Sequence, residues 1–200
     1  MNVCGAKNEK MKIGLFFGSF NPVHIGHMVI ANHIVEYTEI DKIWMVVSPQ
    51  SPFKKKQSLA SNYDRYHLLT LAVGDNARIR PSKIEFDLPT PSYTIDTLTY
   101  LKEKHGEQDF ALIMGGDNLK SFHKWKNYEQ IIEHHDIYVY KRSGSEEHQF
   151  KDHPRVKIVD APLLNISATF IRKAVKDGKS VQYLVPDEVY QYLHTSHLYK

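Results

Sequence analysis

The feature that most constrains this chain is the alternation of short apolar runs with segments patterned for helices. Runs rich in branched and aromatic residues lie at 12–17, 43–47, 110–114, 137–140 and 156–159. Runs of this length are typical of buried strands. Strands that alternate with helices predict βαβ crossovers and a parallel sheet that is covered on both faces. We therefore predict an α/β fold, a Rossmann-like three-layer sandwich with a mostly parallel sheet and a small C-terminal helical segment.

The predicted helices fall between and after these runs. Apolar residues are spaced for one helix face over 28–35, and Ser61 followed by Asp64 is typical of a helix start. Ser92 or Thr94 is expected to cap a further helix, with its apolar residues spaced along one face. These segments supply the crossovers that a parallel sheet requires.

Short elements complete the expected organisation. Two short strands are predicted around Pro81, one at Ile79 and one at 84–86, and the C-terminal helices are expected over 168–175 and 187–193. The chain of 200 residues is long enough to bury a sizeable core in one domain. We expect a flexible tail over 1–10, a single domain over 11–200 and a polar loop over 143–153.

Composition excludes several classes of protein. With 26 basic and 23 acidic residues the net charge of +3 is too balanced for a protein that coats nucleic acid. One cysteine, Cys4, cannot build a disulfide framework, which favours a reducing compartment. No apolar run approaches the roughly 20 residues of a membrane span, and the first ten residues resemble no signal peptide. We expect a cytoplasmic protein with no nucleic-acid or membrane partner; a homo-oligomer remains open.

The segment 18–27, Gly-Ser-Phe-Asn-Pro-Val-His-Ile-Gly-His, follows the first predicted strand and opens a helix. His24 and His27 are three residues apart and project from nearly the same face of that helix start. Unpaired N–H groups and the helix dipole favour phosphate there, and two imidazoles can donate to its oxygens. Half of a zinc site is the alternative, but no further ligands are spaced to complete it. We predict a phosphate site and no metal site.

Two motifs of the adenylyltransferase and cytidylyltransferase superfamily resemble segments of this chain. Residues 18–27 resemble the first, which contains His-x-Gly-His, and Ile166-Ser-Ala-Thr-Phe-Ile-Arg172 resembles the second, Ile-Ser-Ser-Thr-x-Ile-Arg. Three further segments resemble bacterial nicotinate-mononucleotide adenylyltransferase. They are Pro91-Ser-Tyr-Thr-Ile-Asp-Thr-Leu98, Gly115-Gly-Asp-Asn-Leu119 with Phe122 and Trp125, and Pro52-Phe-Lys54.

The resemblance implies a reaction of ATP with nicotinate mononucleotide that gives deamido-NAD and pyrophosphate. His24 and His27 would bind the triphosphate and the transition state, and Arg172 would hold the β- or γ-phosphate as a planar fork. Mg²⁺ would arrive with ATP, held mainly by phosphates and water. The other residues that the resemblance implies for ATP are Gly18, Ser19, Phe20, Gly26, Ser167 and Thr169.

The same resemblance implies a site for the acceptor nucleotide. Trp125 would stack on the pyridine ring, although its side-chain type alone favours a core position. Tyr93 and Thr94 would offer backbone N–H groups to the nicotinate carboxylate at a helix start. Lys54 would bind the acceptor phosphate, and Asp117 would contact the adenosine ribose or the acceptor nucleotide.

One departure and several alternatives accompany this interpretation. Ala168 replaces the second serine of the family motif, so one hydroxyl donor to phosphate is missing. A sister transferase with nicotinamide mononucleotide or phosphopantetheine as acceptor is the nearest alternative, and the Trp125 segment argues against phosphopantetheine. A nucleotide-binding regulator without turnover is the alternative from another class. Intact His24, His27 and Arg172 argue against it, and Ala168 argues weakly for it.

Overall fold

The computed structural model describes residues 10–50, 59–141, 149–150 and 152–200. Its strands are β1 (Lys12–Gly18), β2 (Lys42–Val47), β3 (Ile79–Ser82), β4 (Asp109–Gly115), β5 (Ile137–Tyr140) and β6 (Val156–Val159). Its α-helices are α1 (Ile25–Tyr37), α2 (Asn62–Val73), α3 (Thr94–Lys104), α4 (Gly116–Lys120), α5 (Tyr128–His134), α6 (Ala168–Lys176) and α7 (Asp187–Thr195). Short 3₁₀ turns occupy Ile84–Asp87 and Phe122–Lys124.

The sheet has six strands in the order β3-β2-β1-β4-β5-β6. Every pairing is parallel, and Phe16 of β1 lies between Met45 of β2 and Ile113 of β4. The chain leaves β1 toward β2 on one side and later returns to β4 on the other. Ligands of open parallel sheets bind at such a reversal, beyond the carboxyl ends of the strands. This topology brings the ends of β1 and β4 to the same crevice.

Helices cover both faces of the sheet. One face packs against α1, α2, α6 and α7 through a buried cluster that includes Ile34, Leu69, Ile171 and Val189. The opposite face packs against α3, α4 and α5, with Leu101, Leu119 and Ile131 in a second buried cluster. The predicted three-layer α/β sandwich is therefore confirmed, and the sheet is parallel throughout.

Two local predictions are wrong. Residues 84–86 form part of a 3₁₀ turn and not a strand, because the backbone N–H of Phe86 bonds the carbonyl of Lys83 at 2.9 Å. The helix after it begins at Thr94 with Tyr93 as N-cap, and the expected side-chain cap from Ser92 or Thr94 is not formed. A short apolar run does not by itself distinguish a strand from a tight turn, because either can pack its apolar side chains, here Ile84 and Phe86, against the core.

Other predictions are confirmed, and some concern residues outside the described ranges. Ser61 caps α2, where its Oγ accepts from the backbone N–H of Asp64 at 3.1 Å. The short helices α4 and α5 had no clear sequence pattern and were not predicted. The predicted tail, except Lys10, and much of the predicted loop 143–153 lie outside the described residues. No helix within the described ranges is long and apolar enough to span a membrane.

Candidate active site

A cavity of about 1210 Å³ opens at the carboxyl edge of the sheet. The loops after β1 and β2, the starts of α3 and α6, and the segment between α4 and α5 line it. Most of the residues that the motifs indicated lie along its wall, namely Gly18, Ser19, Phe20, His24, Gly26, His27, Tyr93, Thr94, Trp125, Ser167, Thr169 and Arg172. Residues separated by most of the chain thus share one space, which is large enough for a dinucleotide-sized ligand.

His24 and His27 form a stacked pair at the start of α1. Their ring centroids are 3.7 Å apart with an interplanar angle of 29°. The backbone N–H of His24 donates to Nδ1 of His27 at 3.2 Å. Because Nδ1 accepts that bond, the neutral ring of His27 carries its proton on Nε2, which is then a donor. The two rings line the cavity beside the helix N-terminus, where an anion is favoured.

Gly18 and Gly26 leave space for the rings of this loop. A Cβ at Gly18 would lie 2.7 Å from the ring of Phe20, and a Cβ at Gly26 would lie 3.1 Å from the ring of His24. The sharp turn itself occurs at Phe20, whose φ is 42°. Gly18 is needed because the Phe20 ring folds back against it.

Arg172 reaches the same loop from α6. One guanidinium nitrogen donates to the backbone oxygen of Asn21 at 2.8 Å, and the other donates to the hydroxyl of Thr169 at 3.3 Å. Ser167 caps this helix, and its Oγ accepts from the backbone N–H of Phe170 at 3.2 Å. The Ser167 hydroxyl keeps its own proton for a ligand. Arg172 and the first turn of α6 therefore face the histidine pair across the cavity.

The α3 start and Trp125 build another part of the cavity wall. Tyr93 precedes α3 without forming a side-chain cap, so the first N–H groups of this helix, which begins at the cavity wall with Thr94, have no side-chain acceptor from the cap residue. Lys126 bonds the carboxylate of Asp96 at 2.9 Å and lies 4.9 Å from the ring centre of Tyr93. Trp125 is half-buried and packs edge-on against the fully buried Phe122. Trp125 is thus at the edge of the core, with part of its ring available to a ligand.

Two predicted acceptor residues are not placed in the cavity. Asp117 is exposed in the first turn of α4 and does not line it. One of its carboxylate oxygens lies 2.5 Å from where a Cβ of Gly115 would be. Lys54 falls in 51–58, outside the described residues. Within the described part of the chain, no three His, Cys, Asp or Glu side chains are grouped to hold a metal ion.

The sequence motifs do not indicate Arg65, a fully buried arginine on α2. Its Nε donates to the Ala60 carbonyl at 3.2 Å, and one terminal nitrogen donates to the carbonyls of Ser19 at 2.5 Å and Ser48 at 2.9 Å. Burial lowers the pKa of its guanidinium. Arg65 therefore joins the loops that follow β1 and β2. No spacing rule identifies it, since arginine on a helix usually faces solvent.

Two further side chains that support the cavity wall, Glu85 and Tyr199, are also not indicated by the sequence motifs. Glu85 is 1% exposed and lines the cavity, and the hydroxyl of Thr97 donates to it at 2.8 Å. Burial raises the pKa of the Glu85 carboxyl, while nearby hydroxyls act against the rise. Tyr199 donates to the side-chain oxygen of Asn21 at 2.7 Å and so ties the last residues to the β1–α1 loop.

This chain is similar in sequence to known proteins of one family. A family model described as cytidylyltransferase-like matches residues 15–174. A Flavobacterium johnsoniae protein named "Probable nicotinate-nucleotide adenylyltransferase" is 51% identical over 192 residues, which are 95% of this chain and 100% of that protein. A Cytophaga hutchinsonii protein of the same name is 54% identical over 179 residues, 90% of this chain and 93% of that protein.

A solved structure has the same fold. Plasmodium falciparum nicotinic acid mononucleotide adenylyltransferase, complexed with NaAD, superposes with a TM-score of 0.79 at 20% identity, over 94% of this chain and 97% of that one. At this identity the likeness concerns the fold. Together with the family match and the close relatives, it shows that this chain belongs to the cytidylyltransferase-like family, within its nicotinate-nucleotide adenylyltransferases.

Proposed function

We propose that this chain transfers the AMP group of ATP to nicotinate mononucleotide and releases deamido-NAD and pyrophosphate. The observation that carries the proposal is that the wall of one cavity contains two different groups of residues. One group has two histidines, Arg172 and two helix starts, and the other has an aromatic ring and a third helix start. The first group suits a triphosphate, and the second suits a flat ring that bears a negative charge.

The chemical step is an in-line displacement at the α-phosphorus. A phosphate oxygen of nicotinate mononucleotide forms a new P–O bond while the bond to the β-phosphate oxygen breaks, and pyrophosphate leaves with that electron pair. The protein forms no covalent bond in this scheme. The protein aligns the phosphate of nicotinate mononucleotide with the α-phosphate of ATP, and it stabilises the negative charge that develops on the pyrophosphate leaving group.

We assign that charge stabilisation to His24, His27 and Arg172. The His27 ring has its Nδ1 occupied by the backbone N–H of His24, so Nε2 carries the proton and would be the atom that donates to the ligand. Arg172 still has donors beyond those that it gives to Asn21 and Thr169. Gly18, Ser19, Phe20 and Gly26, with Ser167 and Thr169 of the α6 start, would enclose the rest of ATP.

Mg²⁺ belongs to this proposal as part of the MgATP substrate. Protein sites for Mg²⁺ use oxygen ligands and near-octahedral geometry, and substrate phosphates commonly supply several of them. The described cavity wall offers hydroxyls, imidazoles and a guanidinium in place of a carboxylate cluster. The phosphates and water would therefore hold the ion.

For the acceptor, we assign ring stacking to Trp125 and carboxylate binding to the backbone of Tyr93 and Thr94. The positive end of a helix dipole favours a carboxylate over a neutral carboxamide by about 0.3–1 kcal/mol, and by more where the site is partly buried. We keep Lys54 as the residue for the acceptor phosphate. Asp117 would contact the nucleotide only after its side chain turns away from Gly115. The single cysteine agrees with a cytoplasmic location for this reaction.

Pyrophosphate release by the purified protein tests the proposal. ATP and Mg²⁺ are supplied with nicotinate mononucleotide, nicotinamide mononucleotide or phosphopantetheine, and the products are identified by mass. We expect fast release with nicotinate mononucleotide and a loss of about 100- to 1,000-fold in kcat for His24→Ala. His33→Ala is the matched control, because His33 stacks on Tyr37 along the same helix but does not line the cavity. Release with none of the three acceptors would overturn the acceptor assignment.

A further inference from the structure

The proposed reaction leaves one buried acidic group of the cavity wall without a role. Glu85, in the 3₁₀ turn Ile84–Asp87, is 1% exposed. Its Oε1 accepts from the hydroxyl of Thr97 at 2.8 Å, and within the described residues its Oε2 has no partner of standard hydrogen-bond geometry. The buried Oγ of Ser92 also has no partner there. Both residues line the cavity, next to Tyr93 and Thr94.

The surroundings of Glu85 are hydroxyls. Ser48 at the end of β2 and Ser92 and Thr97 around the start of α3 all favour its ionised form, whereas burial, the largest effect, raises its pKa. Charged groups on the neighbouring elements have other partners. Arg65 of α2 bonds the carbonyl oxygen of Ser48, and Asp96 of α3 pairs with Lys126. Lys83 and Asp87, which flank the turn, are exposed.

The protonation state of Glu85 determines which way the Ser92 hydroxyl can donate. An ionised carboxylate only accepts hydrogen bonds, so Ser92 would turn its proton inward to Oε2. A neutral carboxyl has a proton of its own, which Oε2 can donate to the oxygen of Ser92. The proton of Ser92 is then no longer held by Oε2, and it can be donated to a ligand atom that reaches the buried Oγ where Ser92 lines the cavity, next to the α3 start.

We propose that Glu85 is a positioning residue that acts through Ser92, and that its neutral form selects an acceptor ring bearing a carboxylate over one bearing a carboxamide. The inference rests on the proposed function, because it concerns the acceptor-binding part of the same cavity. Ionised Glu85 weakens that selection in two ways: it removes the donor and places a negative charge behind Ser92.

The test is the pH dependence of a ratio. The ratio compares kcat/KM for nicotinate mononucleotide with kcat/KM for nicotinamide mononucleotide, from about pH 5 to about pH 9. Titration of ATP, of the acceptor phosphate and of the histidine pair affects both substrates alike and cancels. We expect the ratio to fall about tenfold as pH rises through the raised pKa of Glu85, since one hydrogen bond to a charged group is lost.

Two variants separate positioning from a structural role. In Glu85→Gln the amide nitrogen donates to Ser92 at every pH while the amide oxygen accepts from Thr97, so the ratio should stay high and flat. In Ser92→Ala the donor is absent at every pH, so the ratio should lie below the wild-type value at low pH and should fall less than in the wild type as Glu85 ionises. Glu103→Gln is the control, because Glu103 is exposed near the far end of α3 and should keep the wild-type curve.

A flat ratio in the wild-type protein, or the same pH dependence in Glu85→Gln as in the wild type, overturns the inference. If Glu85→Gln does not fold, Ser92→Ala decides the question, and a ratio that falls with pH in that variant by as much as in the wild type also overturns the inference. Failure of the proposed function has a different outcome, namely no turnover of either pyridine nucleotide at any pH.

Discussion

Replacing Arg65 by methionine removes a buried guanidinium that donates hydrogen bonds to three parts of the chain, namely the loop after β1, the loop after β2 and the start of α2. Its bonds reach the backbone carbonyls of Ser19, Ser48 and Ala60 at 2.5, 2.9 and 3.2 Å, and the side-chain oxygen of Asn62 at 2.6 Å. The half-buried Asn62 side chain can turn to water once the guanidinium is gone, whereas the three backbone carbonyls cannot. Methionine has a similar length and can fill the apolar part of the space, but it donates nothing. The substitution therefore leaves three carbonyl oxygens without their donor while changing little else.

The expected loss of stability follows from those three acceptors. A buried acceptor without a partner costs about 1–3 kcal/mol. The variant no longer buries a charge, and water can reach part of the cavity wall, so we use the lower end of the range. The free energy of unfolding should fall by about 3 kcal/mol. For a chain of this size, Tm should then fall by about 6–12 °C.

Thermal unfolding by calorimetry measures that change, and pyrophosphate release measures its effect on the site. Because Arg65 joins the loops after β1 and β2, we expect KM for both ATP and the acceptor to rise. Arg65→Lys is the control, since its ammonium keeps the charge but cannot reach oxygens on several sides at once, and it should lose about half as much stability. A Tm within about 2 °C of the wild type for Arg65→Met would refute the reasoning.

Three further predictions concern the cavity wall. Trp125→Ala should raise KM for the acceptor about tenfold with KM for ATP unchanged, whereas Trp125→Phe should keep most of the stacking; steady-state kinetics would show both. Ala168→Ser restores a hydroxyl at the start of α6, and we expect KM for ATP to fall by up to about tenfold. The unfolding free energy, measured in urea, should decrease as pH rises from the ordinary glutamate pKa toward the raised pKa of Glu85, because the native state then binds a proton that the unfolded state has lost. Glu85→Gln should remove that slope.

Several features of this protein could be predicted from the sequence because they depend on local pattern. The runs at 43–47 and 110–114 are fully buried strands, as their apolar residues indicated. Ser61 caps α2 as predicted. His24 and His27 stack at the start of α1 because residues three apart on a helix share a face. In the cap and in the histidine pair, the groups that interact lie three residues apart; in the strands, the local run of apolar residues was enough to predict burial.

Resemblance to a family indicated the long-range part of the site, which spacing could not. Arg172 bonds the carbonyl of Asn21 across 151 residues of chain. Nothing local in either segment requires that contact. It forms because β1 and the segment before α6 meet at the carboxyl edge of one parallel sheet, and the motif pair indicated only that they belong to one site.

Arg65 and Glu85 were identified only in the tertiary structure. Arginine and glutamate usually lie in water, so their positions in the sequence predict exposure. Whether they are buried depends on elements that pack over them from elsewhere in the chain, α3 over Glu85 and the loops after β1 and β2 over Arg65. The sequence by itself determined the layers of the fold and predicted which residues would bind phosphate. The tertiary structure decided which polar side chains lose contact with water, because burial depends on packing between segments that are distant in sequence.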